Sequence, residues 1–128
     1  MTEDPSAESP QTPPAGFAVD VRAPQDGVVT VVVTGAIDLQ TAPAVHEALS
    51  RAGQDVPAVQ LDLRGVEFLG SAGLSALVDA ARHAEESGGR LAILATSHAV
   101  LRAVQVTGLD TVLQMFDDPA AATKYLQG

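Results

Sequence analysis

The chain contains no cysteine and no tryptophan, one tyrosine, three phenylalanines and a single lysine, Lys124. Without cysteine there is no disulfide framework, no thiolate nucleophile and no cysteine-ligated zinc site; the absence fits a cytosolic protein. So few aromatic rings and seven scattered cations make neither a stacking surface nor a basic stripe, so nucleic acid is not an expected partner. No apolar run approaches the roughly 18 residues of a membrane span. The start, Met1-Thr2-Glu3-Asp4-Pro5, is acidic and polar, unlike a secretory leader. A cytoplasmic protein with no membrane partner is expected. What the chain has in excess is negative charge: 16 acidic against 7 basic side chains, a net of −9. An acidic surface of this kind steers partners that present basic groups.

At 128 residues there is room for one domain with a sufficient core. Residues 1–16 hold four prolines, three acids and no apolar period, and read as a disordered acidic, proline-rich tail. Order begins at Phe17. Phe17 to Arg22 alternates apolar and polar, Pro24 to Gly27 is a turn signal, and Val28 to Thr34 is strongly β-branched, so the two runs predict a hairpin. Gly35 to Pro43 reads as a loop, after which Ala42, Val45, Leu49 and Ala52 share one helical face. Ala58 to Leu63 reads as a covered strand. Leu74, Leu77, Val78, Ala81 and Ala84 mark a helix over about 71–87, ended by Gly88-Gly89. Arg90 to Ala95 is another strand. Ser97 caps a helix running to Thr107, with Gly108 as its stop. Thr111 to Phe116 is a last short strand, and Pro119 opens a final helix. The order β-β-α-β-α-β-α-β-α predicts an α/β domain over 17–128. Its sheet is mainly parallel, with an antiparallel first edge strand, and packs against about four helices.

The most informative stretch is Leu61-Asp62-Leu63-Arg64-Gly65-Val66-Glu67-Phe68-Leu69-Gly70-Ser71-Ala72-Gly73-Leu74, a strand, a glycine-flanked loop and a helix start. Ser71 falls where backbone N–H groups converge and the helix dipole favours negative charge. A serine there can serve as nucleophile, phosphate ligand, phosphorylation site or helix cap. A nucleophile elbow needs Gly-x-Ser-x-Gly; Gly73 is in place, but Leu69 stands two before Ser71 and Gly70 comes one residue late. The base is missing as well. His83 lies about 18 Å along the same helix, and His46 and His98 sit in or near other helices with no catalytic pattern. All three histidines read as surface residues. No P-loop and no Gly-x-Gly-x-x-Gly fingerprint is present. No metal-ligand spacing appears either, and Asp117-Asp118 before Pro119 reads as a helix cap rather than a calcium ligand. Asp38 reads as a turn or capping aspartate, and Glu67 as a solvent-facing residue near a strand end. No cofactor and no metal are expected.

The same junction, Gly70-Ser71-Ala72-Gly73-Leu74 preceded by Leu61-Asp62-Leu63 and Val66-Glu67-Phe68, resembles the STAS domain of bacterial anti-sigma-factor antagonists. Gly35-Ala36-Ile37-Asp38 with Thr41-Ala42-Pro43, Gly88-Gly89, and Thr107-Gly108-Leu109-Asp110 agree with that family in order and spacing, so the likeness extends over Phe17 to Gly128. The resemblance implies a non-enzymatic, stress-responsive regulator of transcription. Unphosphorylated, it would bind an anti-sigma factor that is itself a serine kinase and so free a sigma factor. Phosphorylation of Ser71 would break that complex, and a serine phosphatase would restore it. It further implies a partner-binding surface of Asp38, Gly70, Ser71, Ala72 and Gly73. The family's common pattern is Asp-Ser-Ser/Thr-Gly. Here Gly70 replaces the Asp and Ala72 the second hydroxyl, which leaves Ser71 as the loop's single acceptor. The alternative on the same fold is a scaffold, or a lipid-transport accessory subunit, without a phosphoswitch.

Overall fold

Two long strands, β2 (Val28–Ile37) and β3 (Ala58–Leu69), form the spine of the computed structural model, which describes residues 16–128. The expected tail lies outside the described residues except for Gly16. Around the spine run β1 (Ala18–Val21), α1 (Ala42–Asp55), α2 (Ser71–Glu86), β4 (Arg90–Leu94), α3 (His98–Val106), a 3₁₀ turn at Leu109–Thr111, β5 (Met115–Phe116) and α4 (Pro119–Gln127). The sheet order is β1-β2-β3-β4-β5; β1 pairs antiparallel with β2 and every other pair is parallel. This is the α/β arrangement the alternation of elements predicts. The first hairpin closes through Asp26 (φ 54°) and Gly27 (φ 79°), both left-handed, with Gln25 and Val28 exchanging backbone bonds of 2.9 and 3.0 Å. Two left-handed residues match the right-handed twist of the flanking strands.

Successive side chains on a strand point to opposite faces, and the two faces are dressed differently. Val29, Val31, Val33, Ile37, Leu61, Leu63, Leu91 and Ile93 belong to one core with the apolar sides of α1, α2 and α3. Val45 on α1, Leu77 on α2 and Val100 on α3 are all fully buried there. Each such side chain contributes about 1.5–3 kcal/mol relative to exposure. Among the described residues the other face is covered by α4, where Val28, Ala92, Ala122 and Leu126 form a second cluster joined by Ala58, Phe116 and Tyr125. Caps set the helix starts as expected: Ser97 Oγ accepts from Val100 N–H at 3.3 Å, and Asp118 Oδ1 accepts from Ala120 N–H at 3.3 Å.

Three boundaries differ from the expectation. β2 continues through Gly35 to Ile37, so the segment read as a loop from Gly35 shrinks to Asp38–Thr41. Gly35 makes this possible: its φ of 95° suits glycine, and a Cβ there would collide with the Gly16 carbonyl. β3 also continues, to Leu69, through two bulges. Val32 pairs with Asp62 but Thr34 with Gly65, and Gly35 pairs with Val66 but Ala36 with Phe68, so β3 carries one extra residue each time. Buried positions therefore step by three, Leu63, Val66, Leu69, where strict alternation would step by two. That broken period is why the sequence reads as a loop. The last strand is shorter than expected, because Leu109–Thr111 forms a 3₁₀ turn and only Met115 and Phe116 pair with β4.

Candidate functional site

β2 and β3 outlast their neighbour. Pairing of β3 with β4 ends at Asp62, whereas pairing of β3 with β2 runs on to Ile37↔Leu69. The two strands thus carry the Asp38 loop and the Ser71 junction side by side at the carboxyl edge of the sheet, the edge at which open α/β folds place their sites. A 2.9 Å bond from Gly70 N–H to the Ile37 carbonyl ties the two segments together.

The Asp38 loop is internally braced. Asp38 Oδ1 accepts from the backbone N–H groups of Gln40 (3.0 Å) and Thr41 (3.1 Å), and lies 3.2 Å from Thr41 Oγ1. Thr41 Oγ1 accepts from Asp38 N–H at 2.9 Å and donates to the Ala36 carbonyl at 2.8 Å. Thr41 is buried while Asp38 is half-buried. Asp38 therefore shapes the entrance to α1 as a turn aspartate, its side chain doing the capping that Thr41 at the N-cap position does not.

At the other segment a single residue, Gly70, joins strand to helix. Gly70 is the N-cap, with φ −90° and ψ −179°, and Ser71 is the first helical residue. The capping role for Ser71 is thereby removed. Its side chain is exposed, and among the described residues no hydrogen bond engages its hydroxyl. The first intrahelical bond is Leu74 N–H to the Gly70 carbonyl at 3.0 Å, so the N–H groups of Ser71, Ala72 and Gly73 are the unspent donors of the first turn. Gly70 and Ala72 are half-buried and Gly73 is buried. A Cβ on Gly73 would sit 2.6 Å from Leu69 Cδ1 and 2.7 Å from Ile37 Cγ2, so this glycine lets α2 seat on the ends of both strands.

Two residues of this edge escaped the sequence reading. Leu39, in the Asp38 loop, is 83% exposed, and Phe68, beside the second bulge, is 52% exposed. The Phe68 ring lies over Gly70: a Cβ at Gly70 would come within 3.1 Å of Phe68 Cε2. In sequence a leucine or phenylalanine next to buried residues reads as core; the only signal was the glycine and charge pattern that marks the bulges.

The histidines stay apart from Ser71. His46, His83 and His98 are exposed; His46 and His83 face a groove of about 320 Å³ between α1 and the later turns of α2. Among the described residues no group of three His, Asp or Glu side chains is placed to hold a metal, and no helix is long and apolar enough to cross a membrane. The distinctive carboxylate is Asp62, on the sheet face away from the main core. Burial pushes its pKa up, but the Arg64 guanidinium (2.9 and 3.1 Å), the Arg64 backbone N–H (3.0 Å) and the Arg64 and Arg22 charges outweigh that and hold it below 3.8. The pair braces the first bulge; it lies on β3 well before Ser71.

Residues 21–115 match the family described as "Mlab, STAS domain". The chain belongs to the STAS-domain family. This STAS domain is 35% identical to the anti-sigma-F factor antagonist RsfB of Mycobacterium tuberculosis over 95 residues, which cover 73% of this chain and 77% of RsfB. An anti-sigma factor antagonist from Mycobacterium paratuberculosis superposes with a TM-score of 0.77 at 31% identity, covering 91% of this chain and 99% of that one. The fold is shared with Bacillus SpoIIAA, an anti-sigma factor antagonist solved in unphosphorylated and phosphorylated forms. Both are 18% identical, with TM-scores of 0.66 and 0.64, and cover 87% and 84% of this chain and 99% of SpoIIAA.

Proposed function

We propose that this STAS domain is an anti-sigma-factor antagonist, that its binding surface is the sheet edge around Ser71, and that phosphorylation of Ser71 by an anti-sigma serine kinase turns binding off. The observation that carries the reading is the state of Ser71: exposed, uncapped, and first in a helix whose leading N–H groups are unspent. Asp38, Gly70 and Ala72 complete the surface, with Gly73 fixing its depth from beneath. A serine phosphatase would reset it, and the domain itself catalyses nothing.

A phosphate adds about −1.5 to −2 charges at pH 7. At a helix N-terminus that charge is favoured by about 0.3–1 kcal/mol, so the modified domain stays folded. Buried across an interface without a partner, the same charge costs several kcal/mol. A loss of affinity of about 10²-fold corresponds to about 2.7 kcal/mol, within that range.

The test is to incubate the domain with ATP and each anti-sigma kinase of the host, map phosphate by mass spectrometry, and titrate wild type and Ser71→Asp against the kinase that reacts. Phosphate on Ser71 alone, with Ser71→Asp binding about 10²-fold weaker at unchanged melting temperature, is the expected result. The glycine and alanine flanking Ser71 favour a second reading, a scaffold or lipid-transport accessory subunit on the same fold. A Ser71 that stays unmodified in the host under every stress, together with co-purification of transporter subunits, would establish that one instead.

A further inference from the structure

Whether a phosphate at an interface strengthens or breaks a complex depends on what surrounds it. Ringed by arginines it recruits a partner; set among apolar side chains it is stranded without water or counter-charge. The neighbours of Ser71 at the sheet edge are of the second kind. Leu39 lies two residues beyond the paired end of β2, as Ser71 lies two residues beyond the paired end of β3, and Phe68 sits one residue before that end. The second bulge gives Phe68 its direction. It puts Leu69 into the core and leaves the preceding ring outside, where unbroken alternation from Val66 would have buried position 68. Gly70 then provides the space for the ring. With an aspartate at that position, as in the family's common pattern, the ring would have to give way.

We propose that Leu39 and Phe68 are the apolar anchors of the partner interface, and that they make phosphorylation of Ser71 an off-switch. This rests on the antagonist reading above. The occupant is the anti-sigma factor, through an apolar cleft that takes the leucine and the phenyl ring and carries its cationic groups only at the rim, opposite Asp38 and Glu67 and away from Ser71. The charge pattern argues for that rim. Residues 36–43 and 66–75 contain Asp38 and Glu67 and no lysine or arginine, and the chain from residue 17 onward has a net charge of −6. Two large exposed apolar side chains, with an acid and a hydroxyl in the same two segments, fit an interface in which a few anchors hold most of the affinity.

The experiment is titration of the anti-sigma factor with wild type, Leu39→Ala, Phe68→Ala, the double variant and Val106→Ala. Val106, 72% exposed at the far end of α3, is an exposed apolar control away from this edge. Each anchor variant is expected to bind about tenfold more weakly and the double variant about a hundredfold, with Val106→Ala and all melting temperatures unchanged. Wild-type affinity in both anchor variants, alongside lost binding by Ser71→Asp, overturns the anchors and leaves the antagonist reading standing. Failure of the wild-type domain to bind any anti-sigma factor overturns both. A wild-type dimer in sedimentation that Leu39→Ala and Phe68→Ala dissolve assigns the patch to a second copy of this chain and overturns the proposal as well.

Discussion

The two ends of the sheet are finished in opposite ways. At the amino end of the parallel strands, α4 folds back over the face opposite the main core. Leu126 and Ala122 pack on Val28 and Ala92, and Phe116 meets Tyr125 at a ring-centroid distance of 5.5 Å. Arg90 lies 5.2 Å from the Tyr125 ring centre and donates to the Tyr125 carbonyl at 2.6 Å. At the carboxyl end the strands run past their neighbours, and the chain leaves Leu39, Phe68 and Ser71 in water. Apolar material is spent on closure at one end and displayed at the other. On the proposed function stability and recognition are therefore separable, and substitutions should sort by end.

The largest effect is expected from Leu126→Ala at the closed end. Removing a side chain that is 7% exposed should lower unfolding free energy by about 2–4 kcal/mol in urea titrations, with partner affinity of the folded fraction unchanged. Gly73→Ala strikes the open end from beneath. Its new methyl meets Ile37 and Leu69, so we expect a loss of about 1–3 kcal/mol together with weaker binding, because α2 must shift to relieve the clash. If stability fell with affinity intact, the seating of α2 would not control the site. Asp38→Ala removes the acceptor for two backbone N–H groups and should cost about 1 kcal/mol in the melting curve.

The smallest effect belongs to Asp62, which lies on neither end. Its folded pKa is below 3.8 and its unfolded value about that figure, so its contribution is present above pH 3.8 and lost as the pH falls through the folded pKa. With Arg64 half-exposed, Asp62→Asn should therefore destabilise the domain by about 0.5 kcal/mol at pH 7, and the gap to wild type should close on acidification. A gap constant with pH would assign the effect to packing instead.

The closed end was largely legible in the sequence. Pro119 after two aspartates announced α4, the β-branched run announced β2, and periodic leucines and alanines announced the buried sides of α1 and α2. The open end was legible only as chemistry. Gly-Ser-Ala-Gly drew attention to Ser71, and Asp38 was read as the turn residue that the hydrogen bonds make it. The geometry was not legible, because both bulges in β3 replace the period of two with steps of three, and pattern reading takes such a break for a loop. For the same reason Phe68 could not be told from core. Its exposure depends on the register with β2, a non-local property that a run of residues does not carry.

The one-residue link at Gly70 has a consequence in time. On the proposed function, with no slack between β3 and α2, a charge placed on Ser71 would have no loop to rearrange, and its removal would restore binding without a conformational step. A switch built this way would keep no memory of its last state. Its response would be paced by the enzymes that write and erase the mark and by diffusional encounter, at about 10⁵–10⁷ M⁻¹s⁻¹ for docked protein pairs.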